Sequence, residues 1–306
     1  MKRGFTLTEL LVVIMVIAIL ASSTLFAMMQ SMETARVRRT RAEITNLNDH
    51  IMPMWEAYST RPIRLVTTGG NALPPAARRD IRVMASARLN VLHDLQRMEL
   101  PERITDICDG PTRIPTVPVS LPYILSNGTT VDITTVKPSV SRRYYKYADD
   151  HAGIENWTEQ YEGAECLWLI MKFNTEVDIE SIDKDQDNMP EVADAWGNPV
   201  EFLRWAPGYD FITPVVKDPV TSPDPFNPLK IRQNNQSPRD YMIFPLIYSP
   251  GPDGQYDINK IAGLAYSELT IPCDPYYNPG IQAGATLNNA EQVFVDNITN
   301  HNIETR

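Results

Sequence analysis

The sequence has no glycine or proline between Phe5 and Met52, and no charged residue between Leu10 and Gln30. These absences exclude a loop or a solvated surface helix over the apolar run. About 20 apolar residues, rising 1.5 Å each, span the roughly 30 Å of a bilayer core. Lys2 and Arg3 precede the run, as expected of a cytoplasmic flank. We therefore predict a membrane-spanning helix at the N-terminus.

The chain also has little cysteine, little histidine and no excess of basic residues. Its 306 residues include three cysteines and four histidines, and the formal net charge is −10. An acidic chain of this size is a poor candidate for a nucleic-acid-binding protein, so no nucleic-acid partner is expected. The histidines form no metal motif, and no Gly-x-Ser-x-Gly or phosphate-binding loop is present. These absences argue against an enzyme.

The three cysteines, Cys108, Cys166 and Cys273, lie far apart and have no metal-ligand spacing. Two interpretations stay open. In a domain outside the cytoplasm, two of them would form a disulfide and one thiol would be left over. Alternatively, all three are small buried apolar side chains.

Glu9 is unexpected at the edge of the apolar run. A secretory signal peptide has a shorter apolar core, followed by an Ala-x-Ala-like cleavage site that this sequence lacks. A carboxylate at this depth costs roughly 2–3 kcal/mol to insert, so it is tolerated mainly when it is paired. Cleavage after Gly4 would make Phe5 the N-terminus, and its amine would lie one helical turn from Glu9. Pairing between Glu9 and the Phe5 amine of the next subunit would set the stagger of stacked helices.

The sequence MKRG followed by FTLTELLVVIMVIAIL resembles the N-terminus of type IV prepilins and type II secretion prepseudopilins. The resemblance implies that a membrane peptidase cuts after Gly4, that Phe5 is then N-methylated, and that Glu9 guides assembly. It implies a single-pass protein of the bacterial inner membrane with its head outside the cytoplasm, and later a place in a pilus or pseudopilus. The implied partners are further copies of the chain, the prepilin peptidase and N-methyltransferase, the inner-membrane assembly platform, and membrane lipid. Many relatives have a helix breaker in or just past the apolar segment, and this chain has none.

Beyond the apolar run, Val37, Ile44, Leu47 and Ile51 recur at spacings of three, four and seven, which predicts an amphipathic helix with one buried stripe. Pro53 marks its end or a kink. The predicted divisions are a leader (1–4), an N-terminal helix (5–58, with an assembly half at 5–30 and an amphipathic half at 31–58) and a globular head (59–306) with an enlarged region at 60–180.

The head is predicted to be rich in loops because much of the chain's proline falls within it. We expect an α+β fold, in which the long N-terminal helix packs on a globular head with a small antiparallel sheet, as in pilins. The segments predicted within the head are helices at 76–100 and 157–173, loops and short strands over 111–150 with a surface loop at 149–151, and a strand at 241–248.

Four arginines follow the apolar run. Three interpretations stay open. In the first, the arginines form a solvated helix face that is neutralised by Glu33 and Glu43. In the other two, they contact anionic lipid head groups or the acidic head of a neighbouring subunit. The four are Arg36, Arg38, Arg39 and Arg41.

An acidic segment in the distal half has carboxylates at alternate positions, which is how a turning loop directs oxygens at one hard cation. The glycine and glutamate that complete an EF-hand loop are missing, so this is not an EF-hand. We expect either a Ca²⁺ site or a solvated acidic turn. The candidate ligands are Asp183, Asp185, Asp187 and Glu191.

Two later segments resemble the C-terminal half of the major type II secretion pseudopilin. One is the hairpin sequence DAWGNPVEF at 194–202, in which Trp196 is expected to contact the core, and the other is the loop SPGPDGQYDI at 249–258. The resemblance implies a structural calcium ion in the second loop, with Ser249, Asp253 and Asp257 as contributors. The loop is shorter and less acidic than in those relatives, so a plain turn is the alternative.

The resemblance as a whole implies a structural subunit of a type II secretion pseudopilus or of a type IV pilus-like filament. The alternative is a membrane-tethered binding module, such as a tip-located or minor adhesin-like pilin that does not polymerise.

Overall fold

The computed structural model describes residues 7–109, 112–177, 179–207, 224–229, 243–256 and 297–300. The fold is α+β, as predicted: a long N-terminal helix is followed by a head with small antiparallel sheets. The helices are α1 (Leu7–Ala57), α2 (Pro75–Arg79), α3 (Ile81–Glu99), α4 (Ile104–Ile107), α5 (Ser139–His151) and α6 (Glu162–Asn174), with a 3₁₀ turn at Gly251–Asp253. The strands are β1 (Leu65–Thr67), β2 (Cys108–Asp109), β3 (Ile114–Pro115), β4 (Leu121–Ile124), β5 (Thr130–Thr135), β6 (Ser181–Ile182), β7 (Glu191–Val192), β8 (Glu201–Pro207), β9 (Ile243–Ser249) and β10 (Ile298–Thr299).

Helix α1 is continuous over 51 residues, which corresponds to about 75 Å at 1.5 Å per residue. Only its second half has a buried stripe, and the spacing of that stripe follows the helical period. The helix passes through Pro53, whose ring is exposed, and continues for one more turn to Ala57. The proline therefore does not end it. The buried residues of α1 are Thr40, Ile44, Leu47, Ile51 and Trp55.

Two antiparallel three-stranded sheets lie in the head. In the order β10-β9-β8, Glu201 is opposite Tyr248 and Ile298 is opposite Ser249, and this sheet packs between α1 and α6. The other sheet has the order β1-β5-β4 and packs on α3. Strands β2 and β3 form one short pair, and β6 and β7 form another.

The head has a main core and a smaller second core. The main core joins the stripe of α1 to α3, α5, α6 and the β10-β9-β8 sheet. Its largest fully buried side chains include Trp157, Tyr144 and Phe202. The second core lies in the enlarged region, under the β1-β5-β4 sheet, and consists of Leu73, Ala77, Val83, Ala87, Leu125 and Ile133.

Helix α5 corrects the prediction of loops and short strands throughout 111–150. Residues 149–151 form its last turn and are not a surface loop. Its buried side chains include Val140, Tyr144 and Ala148, which are four residues apart and face the main core. The prediction was wrong because tyrosine and alanine give a weaker apolar pattern than leucine or isoleucine, and because proline and threonine dominate the residues before this helix.

Two predicted helix boundaries also change. The helix predicted at 76–100 is divided at Asp80, which caps α3 by accepting from the Val83 N–H at 3.3 Å. The helix predicted from residue 157 begins at Glu162, because Tyr161 has a φ of 60°. That left-handed conformation cannot continue an α-helix.

Cys108 and Cys166 are buried free thiols, and Cys273 lies outside the described residues. Burial raises the pKa of the Cys108 thiol to about 11. A thiol with so high a pKa is unreactive near neutral pH. For these two cysteines the structure thus supports the interpretation as small buried side chains.

Arg204 is a buried cation that no sequence motif indicated. Its side chain is 1% exposed, and its guanidinium donates to Asp106 Oδ2 at 2.8 Å and to the Leu100 carbonyl at 2.9 Å. Glu102 Oε1 lies 3.3 Å from the same guanidinium. A buried arginine is tolerated when carboxylates neutralise it. The cluster of Arg204, Asp106 and Glu102 therefore ties β8 to α4.

We predict that Arg204→Ala lowers the free energy of unfolding by about 3–5 kcal/mol, because it leaves the buried Asp106 carboxylate without its cation. Chemical denaturation of the full-length protein in detergent measures this change. Arg142→Ala removes an exposed arginine of α5 and should change stability by less than about 0.5 kcal/mol. Equal effects of the two substitutions would contradict the role given to Arg204.

Candidate functional site

The first half of α1 is an uncovered apolar rod. Every residue from 7 to 32 is exposed, although the segment is almost entirely apolar. Among the described residues, α1 is the helix long and apolar enough to cross a membrane. An exposed apolar surface of this size marks a site of contact with lipid or protein.

Three hydroxyl groups within this segment are satisfied by the helix itself. Ser22 Oγ donates to the Ile19 carbonyl at 2.9 Å, and Ser23 Oγ and Thr24 Oγ1 donate to the Leu20 carbonyl at 2.9 and 2.7 Å. In an apolar environment, polar groups need such internal partners because no water is available. These residues therefore do not prevent contact with lipid.

Glu9 is the charged residue of the segment 7–32 and lies in the first turn of α1. The N-terminus of a helix favours negative charge there. Gly4 and Phe5 lie outside the described residues. The pairing of Glu9 with a Phe5 amine therefore stays a prediction.

The predicted hairpin forms, and it docks on the middle of α1. An antiparallel bridge closes a turn in which Gly197 has a φ of 79°. The Ala195 N–H donates to Oγ1 of the fully buried Thr40 at 3.1 Å. The Trp196 indole N–H donates to Glu33 Oε1, also at 3.1 Å. The hairpin thus fixes the head to the helix just beyond the apolar rod.

Two of the four arginines that follow the apolar rod form ion pairs with acidic residues of the same chain. Arg36 Nη1 lies 3.9 Å from Glu33 Oε2, and Arg39 Nε lies 2.9 Å from Glu43 Oε1. The Arg39 guanidinium also pairs with Glu180. For Arg36 and Arg39, this confirms the interpretation as a solvated helix face that is neutralised by acidic residues. Such exposed pairs contribute little to stability.

We predict that Thr40→Val destabilises the protein by about 1–2 kcal/mol, because it leaves the Ala195 N–H without its acceptor. The substitution keeps the shape of the side chain. Thr45→Val on the same helix is the control, since the Thr45 hydroxyl donates to the Arg41 carbonyl within α1 and not to the hairpin. Denaturation curves that show no difference between the two variants would mean that the hairpin contact contributes nothing.

The second predicted calcium loop satisfies its own side chains. Ser249 Oγ donates to Asp194 Oδ2 at 2.7 Å and accepts from the Gly251 N–H at 3.1 Å. Asp253 is exposed and accepts from a backbone N–H of the same turn at 2.9 Å. Asp257 lies outside the described residues. Calcium binding by these three residues stays a prediction.

The first acidic segment, in contrast, folds against α6 and forms a buried cluster. One carboxylate oxygen from each of Glu165, Asp185 and Asp187 lies within 4.8 Å of the other two. Glu165 is 0% exposed and Asp187 is 4% exposed. The sequence did not indicate Glu165, because it lies in an apolar helix well before the acidic segment. We call these three residues the acidic cluster.

The other two predicted ligands brace the loop. Asp183 is exposed and accepts from the Asn188 N–H at 3.2 Å. Glu191 is fully buried, and its two oxygens accept from the Lys184 N–H at 3.1 and 3.0 Å. The structure thus places Asp185 and Asp187 beside Glu165, with Asp183 and Glu191 holding the ends of the turn.

The segment before α6 holds the acidic cluster in position. The Trp157 indole N–H donates to Glu165 Oε2 at 2.5 Å. The Thr158 N–H donates to Asp187 Oδ2 at 2.7 Å, and the Thr158 hydroxyl donates to Asp185 Oδ2. All three carboxylates are therefore oriented by residues of one short segment.

Burial and the proximity of like charges disfavour full ionisation of the acidic cluster. Burial, with smaller contributions from Asp187 and Asp185, raises the pKa of Glu165 to about 10. Burial also raises the pKa of Glu191 to about 7. No salt bridge among the described residues includes these four carboxyl groups, and Lys184 directs its ammonium group to the hairpin.

Residues 1–25 match the model of the prokaryotic N-terminal methylation motif. The chain carries a type IV prepilin signal. This confirms the resemblance read from the N-terminus, implies processing by a prepilin peptidase, and fits membrane anchoring by the apolar half of α1. No curated protein and no solved structure matches the chain.

Proposed function

We propose that the protein is a structural subunit of a filament of the type IV pilus or type II secretion pseudopilus kind. One observation carries the proposal. The methylation motif leads into a helix whose apolar first half is exposed, while its second half packs into the core of the head. A helix built in this way fits lipid in the precursor and fits other copies of itself in a fibre.

In this proposal, the precursor is inserted in the bacterial inner membrane with Lys2 and Arg3 in the cytoplasm and the head outside. A prepilin peptidase cuts after Gly4 and Phe5 is methylated. The assembly platform then moves the subunit from the membrane into the growing fibre. The hairpin and the buried stripe keep the head fixed to α1, so stacking of the helices also positions the heads.

The register of the stack needs an interaction other than the hydrophobic effect. A helix that leaves lipid for a bundle of apolar helices exchanges one apolar environment for another, so burial alone supplies little driving force. A carboxylate in that layer is costly unless it is paired. Pairing between Glu9 and the Phe5 amine of the neighbouring subunit would satisfy both charges at one stagger only. A plain membrane anchor gives Glu9 no such role.

We predict that Glu9→Ala leaves membrane insertion intact and abolishes fibre assembly. The apolar half of α1 becomes more apolar, so insertion is kept, but the charge that sets the stagger is lost. Membrane fractionation and electron microscopy of sheared fibres measure the two outcomes.

Asp49→Ala is the matched control, because it removes an exposed acid from the head-bound half of the same helix. It should change neither insertion nor assembly. Normal fibres from the Glu9→Ala variant would overturn the pairing that we propose.

A second candidate function is a binding module at the tip of a filament, without polymerisation of its own. The enlarged region favours it, because apolar side chains around β3 and β4 are exposed, among them Ile124 at 74% and Val117 at 65%. Quantitative mass spectrometry of purified fibres separates the two functions. A filament subunit is present throughout the fibre, whereas a tip module is present in a few copies.

A further inference from the structure

The acidic cluster contains carboxylate oxygens that have no donor. Glu165 Oε2 accepts from Trp157, but Glu165 Oε1 is buried and has no hydrogen-bond partner, in a side chain that is 0% exposed. Asp185 Oδ1 is also a buried oxygen without a partner. Buried acceptors without donors are rare in native proteins and need an explanation. Two of them beside a third carboxylate point to a bound positive charge.

We infer that Glu165, Asp185 and Asp187 bind a calcium ion that fastens the acidic loop to α6. The oxygens of these residues lie within 4.8 Å of one another. Calcium holds oxygens at about 2.3–2.6 Å, so oxygens on one ion lie at most about 5 Å apart. Magnesium requires a near-ideal octahedron, keeps several of its waters and usually binds only one or two carboxylates, so three protein carboxylates favour calcium.

The arrangement around the three carboxylates suits a rigid calcium site. Both oxygens of Asp187 accept backbone N–H groups, from Thr158 at 2.7 Å and from Met189 at 2.8 Å, which fixes the carboxylate plane. Each oxygen keeps a lone pair for an ion. Water would complete the six to eight ligands that calcium takes.

A proton is the competing means of neutralising the cluster. Because a fully buried carboxyl group favours its neutral form, a proton on Glu165 is the alternative in the absence of a cation. One proton removes one charge and engages one pair of oxygens. A calcium ion removes two charges and engages all three carboxylates. The two accounts differ in what calcium does to the stability of the protein.

The position of the loop gives the ion a structural role. The acidic segment leads directly into the hairpin that bonds to Thr40 and Glu33 of α1. An ion that fastens the segment to α6 therefore also supports the attachment of the head to the helix. This role does not depend on whether the subunit polymerises.

The test is a calcium titration of the full-length protein in detergent, after treatment with a chelator and dialysis. Calorimetric titration gives the Kd, and thermal unfolding gives Tm with and without calcium. At a hundredfold excess over Kd, calcium should raise Tm by about 5–10 °C. Magnesium at the same concentration should raise Tm less.

The decisive variant is Glu165→Gln, which keeps the size of the side chain and an acceptor for the Trp157 indole. It should fold without calcium at least as well as the unsubstituted protein, yet lose the calcium-dependent rise in Tm. If Glu165→Gln fails to fold, Asp185→Asn, at a half-buried position, should show the same loss. Asp253→Asn, in the exposed turn, is the control and should keep the full rise.

Three results would overturn the inference. The unsubstituted protein could show no calcium-dependent rise in Tm, which would favour the proton. The rise could survive in Glu165→Gln and Asp185→Asn but vanish in Asp253→Asn, which would place the ion in the other loop. Magnesium could match or exceed calcium, which would exclude calcium as the preferred ion. None of these results depends on fibre assembly, so they leave the proposed function to its own test.

Discussion

The head depends on the burial of one stripe of α1. Ile44, Leu47, Ile51 and Trp55 enter a core shared with α3, α4, α5, α6 and a sheet, so the second half of α1 is the central element of the head. The first half of the same helix buries nothing in the described structure. The boundary between the two halves lies near the hairpin contact at Glu33 and Thr40. One continuous helix thus joins an exposed apolar surface to a surface buried in the head.

Two buried groups of charges show how the head handles desolvated carboxylates. Near α4, Arg204 lies between Asp106 and Glu102, so the cation is part of the chain. At the acidic cluster the chain supplies Glu165, Asp185 and Asp187 with no cation from the described residues. Breaking a buried pair is costly because it leaves an uncompensated charge. The second group differs from the first in having no cationic side chain paired with it among the described residues, and under our inference calcium supplies that charge.

Sequence reasoning succeeded where a signal is local. The apolar run, the stripe of α1, the hairpin at Gly197 and the alternating acids are periodic or contiguous patterns, and the structure places each as a helix, a turn or a loop of the expected kind. It failed where long-range packing decides. Helix α5 is defined by the burial of Tyr144 and Ala148 against other elements. Glu165 and Arg204 become informative only when the fold brings distant residues to them.

The most direct test of the account is the mass and N-terminal sequence of the protein isolated from its native membrane. The account predicts a chain that begins at Phe5 and carries one additional methyl group. That result would establish that the N-terminal motif is read and processed, as filament assembly requires. A chain that still begins at Met1 would contradict the account. It would reduce the apolar half of α1 to an ordinary anchor.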